Sequence, residues 1–125
     1  VQNVLSCLDA ENRYVTTPSS VDFYPMQGSI EDHASNLPLA VTKCRQMVDN
    51  LRYLVAMEAL FASQAVDLRK SDDNGDYVHL GKGTQKAYDV LRAVVPEMKS
   101  NRSVYDDINK AYQLVLEEKF LADGQ

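Results

Sequence analysis

The sequence predicts an all-α fold: a helical bundle built on one long central helix, belonging to a larger helical assembly. Three observations predict it. Apolar residues recur at helical spacing through most of the chain, with little of the alternation a strand needs. Proline, glycine and polar clusters divide that pattern into helical segments. One segment is far longer than the rest. At 1.5 Å per residue its roughly 40 residues extend about 60 Å, whereas the last two, at about 12 and 17 residues, reach only roughly 18 and 25 Å. The apolar surface left over needs partners, in other copies or in additional chain.

The first helix, residues 1–11, carries Val4, Leu5, Cys7 and Leu8 on one side and resembles the tail of a longer helix. A loop over residues 12–28 follows, with Pro18, Pro25 and Gly28 as breakers. Ser29 is a candidate N-cap, and Asp32 three positions on completes an acidic variant of the capping box. The long helix then covers residues 29–70, with Pro38 inside it as a kink or a restart. Val41, Cys44, Val48, Leu51, Val55, Ala62 and Ala65 form a heptad stripe, the seam expected of a bundle. From Leu54 to Ala62 only Glu58 interrupts an apolar surface on every face, so this part is expected to be buried all round.

A polar loop over residues 71–83 ends the long helix. Two short helices occupy residues 84–120. The first starts at Thr84 as N-cap and places Ala87, Tyr88, Leu91, Val94 and Val95 in register before Pro96 stops it. Ser103 and Asp106 form a second acidic capping box. Ile108, Ala111, Tyr112, Val115 and Leu116 are the buried face of the last helix.

At 125 residues the chain has room for a single domain, residues 1–125. A composition of 45% hydrophobic and 25% charged residues is that of a soluble globular protein. The net charge of -5, without clustered Lys and Arg, argues against nucleic acid. No apolar run is long enough for a membrane and no secretory pattern opens the chain, so the cytoplasm is the default location. Cys7 and Cys44 lack metal-ligand spacing and read as two reduced, packed thiols. The chain opens on Val1 and not Met, as a piece of a longer protein would.

Several patterns resemble sites and fail on inspection. Aligning Gly75 with the glycine of an EF-hand puts Lys70 at the first ligand position and Gly81 at the twelfth, where a glutamate is needed. Gly81-Lys82-Gly83-Thr84 lacks both the upstream glycine, replaced by Asp76, and the Ser or Thr directly after the lysine that a phosphate loop requires. Glu58 and Gln64, polar groups in an apolar helix, are expected to bond a neighbouring helix if buried. His79 stands alone in a polar loop.

Glu31, Asp32 and His33 lie in the first turn of the long helix, where the positive end of the macrodipole stabilises carboxylates. Adjacent helical residues point in different directions, so the three cannot converge on one metal ion, and no metal site is expected.

The residues of this region resemble a known family. Ala10-Glu11-Asn12-Arg13, Pro18-Ser19-Ser20-Val21-Asp22 and Glu31-Asp32-His33-Ala34-Ser35 look like the C-terminal part of the histidine and phenylalanine ammonia-lyases. Leu51 to Arg69, ending Ser-Gln-Ala-Val-Asp-Leu-Arg, resembles their long central helix. Leu80-Gly-Lys-Gly-Thr84, Ala87-Tyr88, Leu91-Arg92 and Val94-Val95-Pro96 resemble the segment after it.

The resemblance implies a C-terminal fragment of a large helical enzyme, a homotetramer that eliminates ammonia from an aromatic amino acid. It implies a methylidene-imidazolone prosthetic group formed from an internal Ala-Ser-Gly. None occurs here: Ala34-Ser35 precedes Asn36, and Ala62-Ser63 precedes Gln64. The group would come from upstream sequence, no catalytic residue is expected within this chain, and alone it should be inactive. Its partners would be the rest of the lyase chain and the other subunits, with no nucleic acid and no membrane.

By motif position, Glu31 would hold the substrate ring. The histidine enzymes place a glutamate there, and a carboxylate accepts an imidazole N–H and favours the cationic ring. The resemblance thus implies histidine as substrate and urocanate as product. Gln27 would be a secondary pocket residue, with Asp32, His33 and Ser29 as supporting or capping groups. Phe23-Tyr24-Pro25-Met26-Gln27-Gly28-Ser29-Ile30 departs from the usual histidine-enzyme pattern, so a lyase for another aromatic amino acid is an alternative. So is a stand-alone helical oligomerisation or binding module. A small helical enzyme using Glu31 and Asp32 as acid and base is the third reading.

Overall fold

The computed structural model describes residues 1–21, 36–72 and 78–120. Four α-helices run in the order α1 (Gln2–Val15), α2 (Leu37–Ser71), α3 (Lys82–Arg92) and α4 (Tyr105–Leu116), and no strand occurs among the described residues. The all-α class expected from sequence is what the chain forms.

The first helix runs past residue 11 because Asn12 to Tyr14 include no breaker. Its end is capped by the two threonines that follow. The Thr16 hydroxyl donates to the Arg13 carbonyl at 2.6 Å and the Thr17 hydroxyl to the Tyr14 carbonyl at 3.1 Å, satisfying acceptors that a helix end leaves free. A 3-10 turn at Ser19–Val21 follows.

The described part of α2 starts at Leu37, so Pro38 lies in the first turn, where its missing N–H costs nothing. Asn36 precedes it in the left-handed region at φ 47, a conformation asparagine tolerates better than most residues. The Ala40 N–H closes the first turn on the Asn36 carbonyl at 3.0 Å. Residues 29–35, expected to be helical from sequence, lie outside the described residues.

Two compact units divide the chain, Gln2–Leu51 and Arg52–Gln125 together with Val1, and α2 supplies a part to each. In the first unit, Glu11 accepts from Gln46 Nε2 at 2.5 Å and from Asn50 Nδ2 at 3.2 Å, and Asn50 also reaches Asn12 Oδ1 at 3.0 Å. Asn50 is buried and Val15 is this unit's one buried apolar side chain among the described residues. Polar bonds tie α1 to α2 here more than packing does.

The second unit has a true core. Ala56, Leu91, Val95 and Ala111 are buried together, with Leu60, Tyr112, Val115 and Phe120 packed against them. Tyr53 stacks on Tyr112 with ring centroids 4.2 Å apart. Gln64 clamps the chain after α3: its Nε2 donates to the Met98 carbonyl at 3.2 Å and its Oε1 accepts the Met98 N–H at 3.0 Å. The hydrogen bond expected of a polar group in that helix is therefore made, although its partner is backbone beyond α3. Glu58 is exposed and needs none.

Several sequence expectations change. Neither cysteine is packed: both are free thiols and both are exposed. The stretch 54–62 is not buried all round. Ala56 and Met57 are buried while Val55 and Phe61 are exposed, because this chain covers only one side of α2. Thr84 does not cap α3. The cap is Gly81, and the Thr84 hydroxyl donates back to the Gly81 carbonyl at 2.9 Å, as helical threonines often do.

The end of α3 is Arg92, and the Val94 and Val95 amides turn back onto the Leu91 carbonyl at 3.0 and 2.9 Å before Pro96. Val94 is exposed and Val95 buried. The second capping box does not form either. Val104 is the cap of α4, and Ser103, one residue too early, accepts only from the Tyr105 N–H at 3.4 Å. In α4, Ala111 is buried, Ile108, Tyr112 and Val115 are half-buried and Leu116 is exposed.

Candidate functional site

Gln27, Ser29, Glu31, Asp32 and His33 lie outside the described residues, as do the aromatic pair Phe23 and Tyr24. The described flanks of that segment are held firmly. Asn36 Nδ2 donates to the Ser19 carbonyl at 2.9 Å, which joins the 3-10 turn to the start of α2. Lys43 Nζ donates to the Thr17 carbonyl at 2.7 Å, fixing the turn after α1 to the first third of α2.

Between these elements lies a cleft of about 610 Å³ whose walls include Val15, Pro18, Met47, Val48 and Leu51. Its walls are apolar, and its one charged lining group, Lys43, is engaged with backbone. Among its described lining residues there is no carboxylate and no histidine, and the one thiol is Cys44, so the described walls can seat apolar groups. No group of three or more His, Cys, Asp or Glu side chains is placed to hold a metal among the described residues. No described helix is long and apolar enough to cross a membrane.

A polar cluster that sequence reasoning gave no role occurs in the second unit. Asp67 on α2 is buried, and its Oδ2 lies 2.5 Å from Arg92 Nη2 on α3. The approach is a contact of charges without hydrogen-bond alignment, since neither atom has a hydrogen-bond partner and Arg92 Nε is also without one. The Tyr88 hydroxyl donates to Asp67 Oδ1. Arg92 Nη1 donates to the Val95 carbonyl at 3.2 Å, and Lys70 Nζ sits 4.0 Å from the centre of the Tyr88 ring. Periodicity gave a signal that went unused: Ser63 and Asp67 are one turn apart, on the side of α2 that carries Ala56. The arrangement fixes α3 on α2, and its charges are consumed in doing so.

A second structural pair is Arg102 and Asp107. Arg102 Nη2 donates to Asp107 Oδ2 at 2.7 Å and to the Pro96 carbonyl at 3.0 Å, and Nη1 donates to the Glu97 carbonyl at 3.2 Å. This pair sets the loop between α3 and α4.

An all-helical chain with a helix of 35 residues, apolar surface left open on it and no self-contained catalytic constellation among its described residues defines a class: part of a larger helical protein. The comparisons name the family. The sequence profile of the aromatic amino acid lyases matches residues 1–93, and the chain belongs to that family.

Curated relatives include the histidine ammonia-lyases of Streptococcus sanguinis, 36% identical over 123 residues, and Clostridium tetani, 35% identical over 122. That of Natranaerobius thermophilus is 32% identical over 122 residues, or 98% of this chain. The chain spans only 23% of the length of each of these relatives. A solved structure similar to it is the ergothioneine-degrading enzyme ergothionase of Treponema denticola, in complex with desmethyl-ergothioneine sulfonic acid. That similarity has a TM-score of 0.81 and 46% identity over 93% of this chain and 22% of that one.

The prosthetic group that the family implies does not fit this chain's residues. There is no Ala-Ser-Gly to form it, and Ser63, in one of the two Ala-Ser pairs, is buried inside α2.

Proposed function

We propose that this chain acts as the C-terminal part of a lyase that removes the amine from an imidazole-bearing amino acid. Glu31 is its contact to the substrate ring, Gln27 lines the pocket beside it, and Asp32, His33 and Ser29 support that turn. The observation that carries the reading is the family match together with Glu31 at the ring-contact motif position. The carboxylate accepts an imidazole N–H and stabilises a cationic ring. The electrophile comes from sequence outside this chain, so the chain alone is inactive. It works in a homo-oligomer, a homotetramer in the cytoplasm, beside the rest of the lyase.

Histidine, giving urocanate, is the substrate that the curated relatives support. A specific observation favours a second reading, ergothioneine. Identity to the ergothionase is 46%, against 32–36% for the three histidine enzymes described above. Phe23 and Tyr24 also depart from the histidine-enzyme pattern. Both substrates carry the five-membered ring that Glu31 would bind. They differ at the leaving group, ammonia in one case and trimethylamine in the other.

The test is to assay the intact enzyme with each substrate, following the conjugated product and the amine released. Turnover of neither would overturn the reading. Glu31→Gln is expected to lower kcat/KM about 10–100-fold, the loss of one charge-assisted hydrogen bond of about 1.5–3 kcal/mol. An unchanged rate would remove Glu31 from the pocket.

A further inference from the structure

Asn36, at the start of α2, and Lys43, Gln46 and Asn50 within it each donate a side-chain hydrogen bond to the chain before residue 20. The partners' numbers fall as the donors' rise. Asn36 reaches the Ser19 carbonyl, Lys43 the Thr17 carbonyl, Gln46 the Glu11 carboxylate, and Asn50 both Glu11 and Asn12. This is an antiparallel ladder, with Lys43, Gln46 and Asn50 three and four positions apart on one face of the helix. All of it lies within the first compact unit.

The rungs are of two kinds. Gln46 and Asn50 bind side chains of α1 and so dock helix on helix. Asn36 and Lys43 instead bind backbone carbonyls of residues 17 and 19, beyond the end of α1 at Val15. The Lys43 bond is exposed, and holding a lysine costs about as much side-chain freedom as one such bond returns. Its effect is on the path of the chain more than on stability. Asn36 carries the left-handed backbone at φ 47, a conformation that persists where the surroundings impose it and that clusters at functional sites.

We propose that Asn36 and Lys43 are positioning residues for Glu31, fixing the chain before and after it in sequence. This role rests on Glu31 being the ring contact. Glu31 is five positions before Asn36 and twelve after Ser19. Covalent geometry alone therefore keeps it within about 18 Å of the first and about 43 Å of the second, so the Asn36 end is the tighter tether. A shift of residues 17, 19 or 36 is passed along the chain to the carboxylate, and a misplacement of about 1 Å at a reacting substrate costs roughly 100-fold in rate.

The test uses the intact enzyme turning over the substrate it accepts, histidine or ergothioneine. Asn36→Gly keeps the left-handed backbone and loses the amide, while Lys43→Met keeps the apolar stem and loses the donor. Each is expected to lower kcat/KM about 10-fold with helical circular dichroism unchanged, and Lys43→Arg, which retains a donor, to stay within about 2-fold of the parent. In a Glu31→Gln background neither is expected to lower the rate more than about 2-fold further, because the contact they position is already lost. Equal losses in both backgrounds would show a general structural role and overturn the proposal, as would a loss of helical signal. Unchanged turnover of Glu31→Gln would remove Glu31 from the pocket and this role with it. A rate that depends on Glu31 but ignores Asn36 and Lys43 would overturn this role alone.

Discussion

Glu118 follows α4 at φ 56, a conformation that costs an L-residue about 1–2 kcal/mol and glycine almost nothing. The backbone around it closes as a Schellman motif. The Lys119 N–H reaches the Leu114 carbonyl at 2.9 Å and the Glu118 N–H reaches Val115 at 3.2 Å. Glu118→Gly keeps both bonds and relieves the strain, partly offset by the greater freedom of glycine in the unfolded chain. A net gain of about 0.5–1 kcal/mol is expected, read as a higher urea midpoint with unchanged slope. Asp67 and Arg92 make the opposite case, since both are largely buried and each neutralises the other. Asp67→Leu strands the guanidinium and is expected to cost about 3–5 kcal/mol, whereas Asp67→Leu with Arg92→Met recovers most of it. If the double variant were as unstable as the single one, the charge pair would not be the source of the loss. Residues of this kind divide sharply in what their sequence reveals. Gln64 was legible as a satisfied polar group because an amide in an apolar run has few other fates. Asp67 was not, because its partners come from another helix 21 and 25 positions further on.

At the level of elements, spacing predicted the helices well and their ends poorly. Periodicity over 35 residues is a strong signal for α2, while a cap rests on a single side chain and a shift of one residue defeats it. Ser103 shows this: it stands one place before the cap, and Asp106, its supposed partner, is left exposed while Asp107 is buried on Arg102. The heptad stripe was legible as a repeat, but its positions are all exposed, because the chain's own helices cover other faces of α2. The anchor of α3 is Leu91, fully buried among Ala56, Val95 and Ala111. Leu91→Ala removes the largest member of that cluster and is expected to cost about 2–5 kcal/mol, the spread depending on how far Tyr112 and Val115 relax into the space. Leu116→Ala, on the exposed side of α4, serves as the control and is expected to stay within about 1 kcal/mol. Equal losses at the two positions would mean that α4 packs differently from the arrangement described.

For the whole molecule, the two units differ in what holds them, and their local stabilities should differ with it. The second unit buries Ala56, Met57, Leu91, Val95 and Ala111, while the first buries Val15 alone among its described apolar residues and relies on the bonds of Glu11, Asn12, Gln46 and Asn50. Hydrogen bonds in contact with water contribute about 0.5–1.5 kcal/mol each, whereas fully burying one large apolar side chain contributes about 1.5–3 kcal/mol. Opening free energy should therefore be lower in the first unit. Native-state hydrogen exchange reads this directly. Amides of α3 and of α2 beyond residue 56 are expected to exchange slowest, those of α1 at least about 10-fold faster, a difference of about 1.4 kcal/mol. Asn50→Ala removes the buried amide that joins Glu11 and Asn12 to α2. It is expected to speed exchange in α1 further while leaving Leu91 and Val95 unchanged, because no bond of Asn50 reaches the second core. If Asn50→Ala instead accelerated every amide by the same factor, the chain would open as one cooperative block, and the distinction between a polar-tied and an apolar-packed unit would have no energetic meaning.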